Sequence, residues 1–135
     1  MLRCVIVDDS QGFLAAARSL LQRQGITVVG VASTGAEALR RVVELRPDVV
    51  LVDINLGGES GFELASRLHA DGSLASLPVI LISTHPEQDF AELIVDSPAV
   101  GFLPKIALSA GAVRDLLGGR GVGDRGGPVS GPRGR

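Results

Sequence analysis

Five short apolar runs, each broken off by polar residues and followed by a stretch of helical spacing, divide most of this chain into repeating units. The runs cover residues 2–7, 26–32, 48–53, 78–83 and 99–103. They are rich in β-branched residues and alternate little, which suits strands covered on both faces. After the first, Ser10 can cap a helix whose apolar positions are Phe13, Leu14, Ala17, Leu20 and Leu21, ending at Gln24-Gly25. Thr34-Gly35-Ala36-Glu37 and Ser60-Gly61-Phe62-Glu63 have the capping-box form that opens the second and third helices. Leu39, Val42, Val43 and Leu45 give one of these its buried stripe, and Phe62, Leu64, Ala65 and Leu68 the other. Pro86 and Glu87 suit the first turn of a fourth helix with Phe90, Leu93 and Ile94 inward, and a last helix fits 107–117, weakened by Gly111. Parallel strands need crossover connections, and helices of this length supply them. The pattern therefore predicts a three-layer α/β domain: a doubly wound (βα)5 fold with a parallel five-stranded sheet in the flavodoxin-like order 2-1-3-4-5.

At 135 residues with 45% hydrophobic side chains, the chain is expected to make one domain, 1–117, with a substantial core. From 118 to 135 the composition turns to Gly, Pro and Arg, and Val122 and Val129 are too little apolar surface to offset ordering entropy. That segment is expected to be a disordered tail. A formal net charge of −2 excludes a strong overall field and gives no reason to expect nucleic-acid or membrane binding from charge balance. No apolar stretch approaches the roughly 18 residues that suggest a membrane span, so a cytoplasmic protein is expected. The lone Cys4 sits in an apolar strand, where cysteine packs as a small hydrophobe.

The carboxyl ends of the strands carry the chemistry. Asp8 and Asp9 follow the first, Asp53 ends the third, Ser83 and Thr84 close the fourth, and Lys105 follows the fifth. In the order 2-1-3-4-5 the first and third strands are neighbours, which brings three carboxylates together in the crevice where such folds bind ligands. Three like charges repel and raise each other's pKa values unless a cation neutralises them. Hard oxygen donors suit Mg²⁺ better than zinc, and no His and Cys pairing suggests a softer metal. The backbone carbonyl of Asn55 can complete the shell. Lys105 adds a mobile positive charge and Ser83 a hydroxyl donor. Carboxylate nucleophile, metal, ammonium and hydroxyl are the parts needed to accept a phosphoryl group. Singly, each has a plainer role: Asp53 as a turn former, Asp8 or Asp9 as a helix cap, Lys105 as a solvated charge, Phe102 as core, His69 and His85 as surface residues. The ordered set is what points to phosphoryl transfer.

With those residues in those places, residues 2–117 resemble the receiver domain of two-component response regulators. The resemblance implies Asp53 as phospho-acceptor, Asp8, Asp9, Asp53 and the Asn55 carbonyl as Mg²⁺ ligands, and Lys105 as the family's lysine. It also implies Ser83 as the switch hydroxyl, Phe102 as the aromatic rotamer switch, and Thr84 where the family usually has a small residue. Ile106 departs from the pattern, because many receivers place there a proline whose cis bond helps aim the lysine. The expected function is a stand-alone response regulator in a phosphorelay, phosphorylated by a sensor histidine kinase or phosphotransfer protein. It would signal to an unknown downstream protein through the face of the fourth helix, fifth strand and fifth helix, which can also serve a homodimer. No membrane partner and no direct DNA-binding domain are implied, and no enzymatic turnover beyond its own phosphorylation and dephosphorylation. Two other readings stay open: a phosphate-independent receiver-like interaction module, and a small Mg-dependent aspartate phosphatase, which usually has a second acid where Asn55 stands. A flavodoxin-like nucleotide or flavin module is disfavoured by Asp8-Asp9-Ser10 in place of a phosphate loop.

Overall fold

A computed structural model describes residues 1–119. The strands are β1 (Arg3–Val7), β2 (Thr27–Ala32), β3 (Val49–Asp53), β4 (Val79–Ser83) and β5 (Gly101–Pro104). The helices are α1 (Gln11–Arg23), α2 (Gly35–Leu45), α3 (Gly61–Ala70), α4 (Ala91–Asp96) and α5 (Ala110–Gly119). All strand pairs are parallel and the sheet order is β2-β1-β3-β4-β5, as the sequence predicts.

Every residue of β3 and β4 is buried, which is why these runs read as continuously apolar. The pleat sends alternate side chains into two cores. Val5, Val7, Val50, Val52, Leu81 and Phe102 pack with Ala38, Val42, Leu64 and Leu68 of α2 and α3. Cys4, Ile6, Leu51, Ile80 and Ile82 pack on the other face with Leu14 and Leu21 of α1 and Val113 of α5. Burial pushes the Cys4 thiol up to about 12, so it packs as a hydrophobe.

The helix starts form where the polar signals put them. Ser10 Oγ accepts from the Phe13 amide, Thr34 Oγ1 from Glu37, and Ser60 Oγ from Phe62 and Glu63. The box at α2 closes differently from the expected form. Glu37 reaches back to the Ser33 amide at 2.8 Å, while the Gly35 amide at the start of α2 donates to Glu59 from the loop after β3, also at 2.8 Å. That bond ties the Asp53 loop to a neighbouring helix.

Two segments depart from the periodicity. The fourth helix splits into a 3-10 turn, Glu87–Phe90, and the six residues of α4, none of them buried. Phe90 and Ile94 lean on the core, but Leu93, expected inward, is 54% exposed. Six residues complete too little of a turn cycle to bury a stripe. The last helix starts at Ala110, after a separate 3-10 turn Lys105–Ala107, and runs to Gly119, two residues past the expected boundary. From 120 onward, the expected disordered tail lies outside the described residues.

Candidate functional site

The β1–β3 register pairs Val7 with Val52, so the chain delivers Asp8 and Asp53 side by side at the carboxyl edge of the sheet. Both are buried. Each commits one oxygen to its own turn: Asp8 Oδ1 accepts the Ser10 amide at 2.8 Å, and Asp53 Oδ1 accepts the Asn55 amide at 3.0 Å. The remaining oxygens meet the same ammonium. Lys105 Nζ lies 2.6 Å from Asp8 Oδ2 and 3.0 Å from Asp53 Oδ2. The approach to Asp53 is a hydrogen bond, and the closer approach to Asp8 is an ion pair with its buried Oδ2.

Electrostatics follow from this layout. Burial raises the Asp53 pKa, the Asn55 amide and Lys105 pull it back, and Asp8 pushes it up again, leaving it above the usual carboxylate value. Burial alone would lower the Lys105 pKa, but contact with Asp8 and Asp53 and their negative charges outweigh it and raise it. The lysine is therefore charged at neutral pH.

Asp9 is exposed and completes the acidic group: Asp8, Asp9 and Asp53 offer oxygens within 4.8 Å of one another. Three carboxylates gathered this closely, two of them buried, offer hard oxygen donors that fit a divalent cation such as Mg²⁺. The loop after β3 is shaped around this group. Gly57 and Gly58 have φ of +60° and +107°, and a Cβ on Gly57 would lie 2.6 Å from Asp9 Oδ2. At Gly61 a Cβ would come within 2.1 Å of the Asp53 carbonyl oxygen, so only glycine lets α3 start this close to the acid.

Asp8, Asp9, Asp53 and Lys105 are thus brought together as the sequence predicts. Ser83 lies one residue past Ile82, the β4 partner of Asp53, and is buried, with its Oγ accepting the His85 amide at 3.0 Å. Asn55 uses its amide on Asp53 and its side-chain oxygen on the Gly57 amide at 3.1 Å. Phe102 is buried beside Leu81, a core residue on the α2 and α3 face. Thr84 and His85 are exposed near the crevice, the His85 ring standing edge-on to Phe90, and His69 is exposed on α3. The Lys105–Ile106 peptide is trans. From the sequence alone Phe13 has only a packing role, yet its ring centroid is 4.3 Å from Lys105 Nζ, and its place in the first turn of α1, just after the acid pair, is a usable signal. Glu59 carries no signal in the sequence, and Gly61 shows there only as part of a capping box.

Comparison with known proteins agrees with this geometry. The family model described as response regulator receiver domain matches residues 4–112. A Bacillus subtilis protein described as uncharacterized transcriptional regulatory protein YvfU is 34% identical over 117 residues, covering 86% of this chain and 56% of its own. A protein-glutamate methylesterase/protein-glutamine glutaminase of Haloarcula marismortui is 34% identical over 122 residues, covering 86% of this chain and 32% of its own. The chain therefore spans from a third to just over half the length of these two relatives. Among solved structures, the receiver domain of the putative response regulator NarL from Mycobacterium tuberculosis superposes with a TM-score of 0.74 at 31% identity, covering 87% of this chain and 97% of that one. The chemotaxis response regulator CheY4 of Vibrio cholerae gives 0.72 at 25% identity, covering 87% and 96%.

Fold and site define a flavodoxin-like α/β domain with an acidic crevice at its strand ends. The chain belongs to the response regulator receiver domain family, whose general role is to accept a phosphoryl group in two-component signalling. Among the described residues, no helix is long and apolar enough to cross a membrane.

Proposed function

We propose that this chain acts as a response-regulator receiver in the cytoplasm, taking a phosphoryl group onto Asp53 from a sensor histidine kinase or phosphotransfer protein. The observation that carries the reading is the ammonium of Lys105 held between Asp8 Oδ2 and Asp53 Oδ2 beside a third acid. An Asp53 oxygen attacks phosphorus in line as the P–N bond of the donor's phosphohistidine breaks, its electron pair returning to the imidazole. Asp8, Asp9, Asp53 and the Asn55 carbonyl would hold Mg²⁺, which supplies charge neutralisation at the phosphoryl oxygens when bound. Lys105 is already within hydrogen-bond reach of the acceptor, so a small movement transfers it to a phosphoryl oxygen. Ser83 Oγ accepts from the His85 amide, which leaves its own proton free to donate to the same group. Movement of Ser83 would then couple to Phe102 and alter the face of α4, β5 and α5, for a downstream protein or a second copy of the chain.

Incubation with acetyl phosphate, with and without Mg²⁺, tests this by intact mass. A metal-dependent gain of one phosphoryl group in the wild type, absent in Asp53→Asn, is expected. No gain under either condition overturns the phospho-acceptor role and favours a phosphate-independent interaction module. Sustained turnover of phosphate esters would favour an aspartate phosphatase, against which Asn55 two residues past Asp53 already argues.

A further inference from the structure

Lys105 has to serve two situations, paired with carboxylates at rest and facing a phosphoryl oxygen in the reaction. A long, freely rotating stem does this poorly unless something else holds it. Its own loop offers little: Lys105 opens a 3-10 turn with no buried residue, and the next side chain, Ile106, is 98% exposed. The grip comes from across the crevice. Lys105 Nζ sits 4.3 Å from the centroid of the Phe13 ring, within cation–π range.

Phe13 is well fixed for such a task. Its amide donates to Ser10 Oγ at 3.2 Å, and the Ser10 amide donates to Asp8 Oδ1, so the ring's backbone is tied to the acid that Lys105 touches. The ring is half-buried and leans on the core layer of Leu14 and Leu21. The Lys105 side chain is left 13% exposed, which keeps water from weakening the attraction.

We infer that Phe13 is a positioning residue for phosphoryl transfer, its aromatic face holding the Lys105 ammonium in the crevice independently of the carboxylates. The inference rests on the proposed role of Lys105 at Asp53. Among the described residues, the π face is the partner of Lys105 that neither cation nor phosphoryl group competes for. It keeps Lys105 in reach of Asp53 while the charges around it are exchanged.

Phe13→Leu keeps apolar bulk and removes the π face; Phe13→Tyr and Phe13→Trp restore it. In ¹H–¹³C spectra the Lys105 Cε protons of the wild type should be shifted upfield by the ring current, with the shift lost in Phe13→Leu and regained in the aromatic variants. At saturating Mg²⁺ the rate constant for phosphorylation by acetyl phosphate should fall roughly three- to thirty-fold in Phe13→Leu and recover with Tyr or Trp. A thermal melt of each variant separates loss of fold from loss of positioning, and if Phe13→Leu does not fold, the wild-type shift and the Tyr and Trp rates decide. Unshifted Lys105 protons in the wild type, or a wild-type rate in folded Phe13→Leu, overturn the inference. If the wild type shows the ring-current shift but takes no phosphoryl group, the reading of Asp53 fails and the positioning role goes with it, leaving a structural contact only.

Discussion

Asp8 and Asp53 present their Oδ2 atoms to one ammonium, at 2.6 Å and 3.0 Å from Lys105 Nζ, each having already used Oδ1 on the amide two residues ahead. The two acids are built alike and share a cation that a divalent metal would have to displace. Lys105 thus stabilises the resting pocket and, on the proposed reading, competes with Mg²⁺ for the same oxygens.

Lys105→Met separates those roles. Without metal, the variant leaves buried carboxylates uncompensated and should lose about 1–3 kcal/mol of stability. Mg²⁺ then binds without a rival cation and should raise the melting temperature of the variant more than that of the wild type. Thermal melts with and without MgCl₂ check this; equal metal-induced shifts in both proteins would show that the lysine does not compete.

Gly61→Ala addresses the backbone that carries Asp53. The new Cβ would lie 2.1 Å from the Asp53 carbonyl oxygen and 2.9 Å from the Ile54 Cα, and both belong to backbone that cannot turn aside. Either α3 or the Asp53 loop must shift, a cost of about 1–3 kcal/mol or somewhat more. Urea denaturation should show the loss, and, if Asp53 is the acceptor as proposed, its phosphorylation should slow because Asp53 is carried on the displaced backbone. A variant as stable as the wild type would mean that the loop accommodates the methyl group.

The strand ends were the legible part of the sequence, and physical reasons explain where legibility stopped. Asp8, Asp53 and Lys105 stand out because a buried strand has no structural need to end in a charge, and sheet order alone then gathers them. Leu93 misled because an i, i+3 pattern assumes a helix long enough to have a buried side, and α4 has six residues. Phe13 looked like an ordinary member of the α1 stripe, since its contact with Lys105 joins two ends of the fold. Gly61 was visible only as part of a capping box; the carbonyl it makes room for belongs to tertiary packing.

Cys4 should behave as a reporter of unfolding. Burial holds its thiol at about 12, so at pH 8 to 9, where a free cysteine with a pKa of about 8.5 is substantially ionised, the folded chain presents no thiolate. Labelling by a thiol reagent should follow the opening of the domain and accelerate in urea. Because the folded value lies above the unfolded one, the thiol's contribution to stability is fully present below pH ~8.5 and is lost as pH rises toward 12. Cys4→Ala should flatten that part of the pH profile; rapid labelling under native conditions would show that β1 is accessible.

Ser83→Ala tests whether the buried hydroxyl carries the signal. The hydroxyl accepts the His85 amide at 3.0 Å, and since residue 85 is exposed, water can replace that acceptor, so the variant should stay within about 1 kcal/mol of wild-type stability. Asp53, Lys105 and the acid pair are untouched, so the phosphoryl group should still be accepted. What should change is its effect at a distance. In the wild type, a proton donated by Ser83 to the phosphoryl oxygen would draw the end of β4 inward, and the partner residues Leu81 and Phe102 link that strand to β5. Amide spectra taken with and without phosphorylation should therefore show shifts through residues 84–104 in the wild type, much reduced in Ser83→Ala. Undiminished shifts in the variant would remove the hydroxyl from the coupling and leave Lys105, on the turn after β5, as the route by which charge at Asp53 reaches that edge of the sheet.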